Sequence, residues 1–319
     1  MPSKISRRQW SKLALMGVTG LSAPALLYGG KYSLLFHSRA EPAKPEFVLG
    51  VQTSSFRDRS LDDAIAAMKQ LGIKSCELWQ GHVEPREFQW RPKMTKEDQR
   101  NNQQGLKEWR KHVSMKDIEA VRKKLGNAGI KIQAYSNGIR KGLSDDEMDL
   151  IFNIVKTLGT DTLTTSATVD VMDRVDFFAK KYRINVGMHN HSHTEDPNEF
   201  SSPESFARAM AGRSEFIKIN LDIGHFTAAN FDAVDFIRKN HSKIVCIHIK
   251  DRERNQGSNL PFGEGETPIV EVLQLIQKNQ WLIPGNIEYE YKGQDAVAEV
   301  AKCMAYCKMA LQMYNRAKE

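Results

Sequence analysis

From residue 46 onward, short β-branched runs alternate strictly with longer amphipathic segments, and this alternation limits the folds open to the chain. The runs Phe47–Thr53, Ser75–Trp79, Lys131–Tyr135, Thr160–Thr165, Asn185–His191, Ile217–Ile223, Lys243–Lys250 and Asn286–Tyr291 read as strands. Leu61–Leu71 places apolar residues at 61, 64, 65, 68 and 71, the spacing of one helix face. Helices are also expected over Met115–Ala128, Asp145–Leu158, Val169–Tyr182, Pro203–Ala211, Phe231–Asn240, Pro268–Asn279 and Asp295–Ala317. Gly72, Gly129 and Gly159 stand where three of them should end. Strands alternating with helices imply a parallel sheet with helical crossovers. Eight such units within residues 46–318 fit a closed (β/α)8 barrel, a single-domain α/β TIM barrel.

Two segments depart from the pattern. Residues 81–113 are polar, rich in Lys, Gln and Trp, and too long for a plain connection. They read as an insertion at the barrel mouth, in the position of a lid. Residues 1–40 carry Lys4, Arg7, Arg8, Lys12, Lys31 and Arg39 and no acidic residue. Ser6-Arg7-Arg8-Gln9-Trp10-Ser11-Lys12 resembles a twin-arginine export motif, followed by a mostly apolar stretch from Leu13 to Gly30 and by Ser38-Arg39-Ala40. The expectation is an exported, periplasmic protein with transient membrane contact through this signal segment, which is either cleaved after Ala40 or kept as an anchor. These six cations carry most of the formal net charge of +7, leaving +1 on the remainder. A near-neutral barrel lacks the basic face that nucleic-acid binding requires, so no nucleic-acid partner is expected.

In a barrel of this kind the C-terminal strand ends line the active site. Those ends carry Glu77, Trp79 and His82; His189, His191 and His193, with Glu195 beyond; Asp222 and His225; His248, Lys250 and Asp251, with Arg254 beyond; and Glu288 and Glu290. Six of the nine histidines fall here. Imidazole and carboxylate groups on neighbouring strands are what a divalent Mn, Fe, Co, Ni or Zn ion needs. Strand alternation puts His189 and His191 on one face, and Glu288 and Glu290 on another. Trp79 and His82 could form a stacking wall for a sugar ring, and Lys250 could hold substrate oxygens.

Residues 47–310 resemble the xylose isomerase-like barrel superfamily, the sugar phosphate isomerase/epimerase group that includes ketose 3-epimerases. Leu221-Asp222-Ile223-Gly224-His225 is similar to its strand-six Asp-x-x-His motif, and His248-Ile249-Lys250-Asp251-Arg252 to its strand-seven motif. Ile287-Glu288-Tyr289-Glu290 is similar to its strand-eight glutamate motif, and Phe262-Gly263-Glu264-Gly265 to its Gly-rich loop. The resemblance implies one divalent metal ion (Mn, Co, Zn, Ni, Fe or Mg) on Asp222, His248 and Glu288, with His189 as fourth ligand. It also implies a small carbohydrate as substrate, touched by His225, Arg254 and Glu195. The family commonly has Glu at the strand-five ligand position, where this chain has His189. A metal site survives that change better than a two-carboxylate proton shuttle does, and His191 is an alternative ligand.

The expected chemistry is proton transfer beside a carbonyl through an enediolate, as in an isomerase or epimerase of a non-phosphorylated sugar. Glu288, His189 and Glu77 are the candidate catalytic groups, with His191 as a further free base. Elimination from a 3-keto sugar or glycoside, by a lyase or hydrolase, uses the same intermediate and is the alternative. An apurinic endonuclease shares the barrel but needs a basic face. A non-catalytic periplasmic sugar-binding protein would not depend on metal.

Overall fold

The computed structural model describes residues 46–89 and 93–316. The export motif and the rest of residues 1–40 lie outside the described residues. Eight parallel strands close a barrel: β1 (Leu49–Gln52), β2 (Ser75–Trp79), β3 (Lys131–Ser136), β4 (Thr162–Thr165), β5 (Asn185–His189), β6 (Ile217–Asp222), β7 (Ile244–Ile249) and β8 (Gly285–Ile287). Each pairs with its sequence neighbours, and β8 closes onto β1 through Leu49–Gly285, Gly50–Asn286 and Val51–Ile287.

Helices α1 (Leu61–Gln70), α2 (Lys96–His112), α3 (Met115–Asn127), α4 (Asp145–Leu158), α5 (Met172–Tyr182), α6 (Pro203–Met210), α7 (Ile223–Ala228), α8 (Ala233–Asn240), α9 (Ile269–Asn279) and α10 (Ala296–Arg316) make the crossovers and the extra elements at the mouth. Their ends follow local chemistry. Ser60 caps α1 by accepting from the Asp63 N–H, and Ser144 with Glu147 forms a reciprocal capping box on α4. Gly159 ends α4 in the left-handed conformation (φ 77°), where a side chain would clash with the backbone. Met148, Ile151, Phe152, Val155 and Leu158 recur at helical spacing and turn one face of α4 into the core. All four cysteines are buried free thiols. No described helix is long and apolar enough to cross a membrane.

β1, β5, β6, β7 and β8 end earlier than the hydrophobic pattern suggests, β2 and β4 end where it places them, and β3 runs one residue further. β5 stops at His189 because the Asn190 side chain takes over the pairing with β6. Its Nδ2 donates to the Asp222 carbonyl at 3.1 Å, and its Oδ1 accepts the Asp222 N–H at 2.9 Å. β8 stops at Ile287, so Glu288 and Glu290 stand just past the ladder at the mouth. The 81–113 insertion contains α2, capped by a Thr95–Asp98 box and without a buried residue. Within it Arg110 pairs with Glu84 (2.8 Å), and it ties the insertion to α4 of the barrel through Glu147 (3.1 Å).

Candidate metal centre

Four buried side chains meet at the C-terminal end of the barrel: His189 ends β5, Asp222 ends β6, His248 lies on β7 and Glu288 follows β8. One potential ligand atom from each lies within 4.8 Å of all the others. Ligands of a single ion bonded at about 2.0–2.2 Å can stand up to about 4.4 Å apart, so a small contraction closes the set. The register explains the convergence. Asp222 and Asn286 are level with His248 on the neighbouring strands, and Glu288 is two residues farther along the same face of the chain that leaves β8.

Asp222 also caps α7: its Oδ1 accepts the His225 N–H at 2.7 Å. The helix turn therefore fixes the Asp-x-x-His spacing and leaves Oδ2 for the site. Oδ2 makes no hydrogen bond and is met only by the Lys250 ammonium at 3.1 Å, and His189 Nδ1 has no hydrogen-bond partner among the described residues. Such under-satisfied buried atoms, on a mixed imidazole and carboxylate set, suit a divalent cation.

The charges around these groups are strongly coupled. Burial outweighs the neighbouring carboxylates at His189 and pushes its imidazole well below its ordinary pKa, so the ring is neutral. His225 is shifted the same way by burial, with Lys250 adding to the effect. At His248 burial also opposes charge, but Glu77 and Glu288 on either side win and raise its pKa well above the ordinary value. Burial would raise Glu288, yet Lys250 and His248 hold it well below the carboxylate range. The buried Lys250 ammonium reaches Glu288 Oε2 (3.0 Å) and Glu290 Oε2 (2.7 Å), and His225 Nε2 at 3.1 Å.

A cavity of about 1250 Å³ opens over the cluster, lined among others by Trp79, Asn137, His191, His225, Lys250 and Glu290. Arg86, Glu87 and Gln89 of the insertion form part of its wall. A second cavity, about 880 Å³, opens at the opposite end of the barrel beside Phe47, Lys131 and Trp281, and none of the four converging side chains lines it.

The family model of the xylose isomerase-like TIM barrel matches residues 65–307. The chain belongs to this family. An L-ribulose-5-phosphate 3-epimerase, UlaE, of Escherichia coli is 30% identical over 88 residues, which cover 27% of this chain and 31% of the relative. The match thus spans about a third of the length of that curated relative. Among solved structures, the 3-keto-D-glucoside 4-epimerase YcjR of E. coli superposes with a TM-score of 0.59 at 10% identity, covering 83% of this chain and 100% of that one. The IolI protein with a bound zinc atom superposes with a TM-score of 0.61 at 13% identity, covering 84% and 99%. At these identities the structural matches bear on the fold.

Within this xylose isomerase-like barrel, several residues singled out from the sequence stand elsewhere than expected. Glu77 is not a free base at the mouth. It is fully buried one layer below Trp79, because two residues along a strand is one step down the barrel wall. Its carboxylate is occupied by Thr164 Oγ1 (2.6 Å), His248 Nε2 (2.9 Å) and Asn286 Nδ2 (3.1 Å). His82 is not part of a stacking wall. It is buried, its Nδ1 lies 3.0 Å from Thr53 Oγ1, and it meets Trp79 edge-on at 5.6 Å. Burial drives its imidazole down to about 4. Trp79 itself does line the mouth.

Arg254 is not among the residues that line the mouth; its backbone N–H donates to Glu266 Oε2. Arg252 instead reaches His225, with Nη1 2.7 Å from His225 Nδ1 and 3.0 Å from Ser192 Oγ. The signal was present in the sequence, since His248, Lys250 and Arg252 fall on one face of an extended chain. Glu195 is exposed with no role in the cluster, whereas Glu199 holds both His191 Nδ1 and His193 Nδ1. No local spacing reveals Glu199. It arrives because the loop folds back, with the His191 N–H donating to the Phe200 carbonyl at 2.8 Å. His191 faces the mouth on Glu199 and is not among the four converging ligands. Asp251 is a loop staple: its carboxylate accepts the N–H groups of Gly263 (2.7 Å), Gly265 (3.0 Å) and Thr267 (3.2 Å). That is why the Gly-rich loop accompanies the strand-seven motif. A Cβ at Gly265 would stand 2.2 Å from Asp251 Oδ1.

Proposed function

We propose that this protein is a metal-dependent enzyme that moves a proton on a non-phosphorylated sugar or polyol, as an isomerase or epimerase. The observation that carries the reading is the buried convergence of His189, Asp222, His248 and Glu288 beneath a polar mouth. A divalent ion held by those four residues would supply Lewis acidity toward a carbonyl and its neighbouring hydroxyl. The chain's own groups do the rest. Lys250 offers an ammonium to substrate oxygens and neutralises charge that develops on them. His225, neutral and held by Arg252, fixes a second oxygen. Trp79 presents an aromatic surface to the apolar face of a sugar ring.

Two groups are placed to carry the proton. Glu288 stands on one side of the mouth as a carboxylate. His191 stands on another; its Nδ1 is committed to Glu199, so exchange with substrate falls to Nε2. This carboxylate–imidazole pair replaces the two-carboxylate shuttle that His189 removes. Similarity to sugar epimerases, by sequence to one and by fold to another, supports the reaction class. The twin-arginine-like motif in residues 1–40 supports export to the periplasm and hence a substrate without phosphate.

A lyase acting on 3-keto sugars or glycosides is the second reading, favoured by His189 in place of the family's glutamate. The test is incubation of the metal-reconstituted protein in D₂O with ketoses, aldoses and 3-keto sugars, followed by NMR. Deuterium incorporation with a new epimer or isomer supports the first reading, and loss of a substituent supports the second. No exchange with any of them contradicts both.

A further inference from the structure

Glu77 touches no part of the mouth, yet its surroundings are unusually complete. Thr164 Oγ1 donates to its Oε1 at 2.6 Å and Asn286 Nδ2 to its Oε2 at 3.1 Å, while the Cys246 thiol, 3.8 Å from Oε2, stands closer to Asn220 Oδ1 at 3.2 Å. The other hydrogen of the Asn286 amide goes to Gln133 Oε1 at 2.9 Å. Glu77 is therefore a carboxylate ringed by donors, an acceptor only. The remaining contact of its Oε2 is His248 Nε2 at 2.9 Å. Asn220 Nδ2 also stands 3.1 Å from that nitrogen; with the amide turned over, its Oδ1 takes that place, and the ring hydrogen goes to the charged acceptor, Glu77.

The consequence lies on the opposite edge of the imidazole. With the hydrogen on Nε2, Nδ1 of the neutral ring is an acceptor, and it faces another acceptor, Glu288 Oε2, at 3.0 Å. Two buried acceptors at that distance are satisfied only by a second proton or by a cation. We propose that Glu77 is a positioning residue for the metal centre: it fixes the His248 tautomer and ring orientation so that Nδ1, not Nε2, is presented to the metal. The proposal rests on the metal-dependent reading above. Glu77 touches neither metal nor substrate in this arrangement. It acts from the floor of the barrel through His248, and removing such a partner typically weakens metal binding by about 10–100-fold.

The test is cobalt(II) titration of the full chain and of Glu77→Gln and Thr164→Val, read by calorimetry and by the visible cobalt spectrum, with unfolding followed without metal. The expected result for Glu77→Gln is roughly 10–100-fold weaker binding and altered cobalt bands, with the fold kept. Thr164→Val removes only a donor to Glu77 and is expected to shift both readouts less, in the same direction; it serves if Glu77→Gln fails to fold. Unchanged affinity and spectrum in a folded variant overturn the role of Glu77 while leaving the metal centre standing. Absence of binding by the unmodified protein overturns the metal centre itself.

Discussion

Lys250 Nζ lies 3.0 Å from Glu288 Oε2, so a buried ammonium and a candidate metal ligand share one contact. The same nitrogen reaches Asp222 and Glu290, which makes Lys250 the internal counter-charge of an acidic pocket. Replacing it by Met removes the ammonium that three carboxylates share, leaving Glu288 with His248 (3.0 Å), Glu290 with Arg57 (3.3 Å) and Asp222 without its closest cation. The Lys250→Met protein is expected to lose about 3–5 kcal/mol of stability without metal. Added Mn²⁺ or Co²⁺ should then raise its unfolding temperature more than it raises that of the unmodified protein. An equal rise in both would contradict the electrostatic role.

Metal binding should depend on pH through His248. Its pKa is raised in the metal-free site, because Glu77 and Glu288 outweigh burial. Below that pKa an incoming ion must displace a proton from Nδ1, so affinity should fall about tenfold per pH unit as pH drops. Calorimetry in two buffers of different ionisation enthalpy would count the released proton.

Stability of the metal-free protein has a separate pH signature. His82 is driven from 6.5 down to about 4 by burial. A depressed imidazole stabilises the fold above its unfolded pKa of about 6.5, and that contribution is lost as pH falls toward its folded value. The difference amounts to about 3 kcal/mol between pH 6.5 and 4. His189 and His225 are shifted in the same direction and steepen the fall. His248 opposes it: its contribution is complete below pH 6.5 and is lost as pH rises through its raised pKa. Urea unfolding at pH 7 and pH 4.5 should show the loss, and a His82→Asn variant should show less of it.

Arg252 and Arg254 should separate cleanly. Arg252→Ala removes the donor on His225 Nδ1, with an expected increase in KM of about tenfold or more and a smaller loss in kcat. Arg254→Ala should leave both near the unmodified values. Deuterium-exchange rates on the best substrate would measure the contrast.

The order of strands and helices was legible because hydrophobic periodicity and caps are local. Gly72, Gly129 and Gly159 take positive φ where they end the pattern. The four converging side chains were legible because strand ends are a local property and because the motifs around Asp222, His248 and Glu288 resemble those of the family. Glu199 was not, since its approach to His191 depends on how a loop folds back over eight residues. Glu77 misled for a different reason. The sequence shows a strand-end acid, but its depth depends on barrel stagger, which one strand cannot reveal. The resemblance implied Arg254, whereas the alternation of the extended segment after β7 brings Arg252 to His225.

Metal stoichiometry tests the central claim most directly, measured by elemental analysis after reconstitution and desalting, beside Asp222→Ala and His248→Ala. About one divalent ion per chain is expected in the unmodified protein, lost in both variants with the circular dichroism of the barrel retained. No bound ion after exposure to Mn, Co, Ni or Zn, or an ion kept by both folded variants, would contradict the claim.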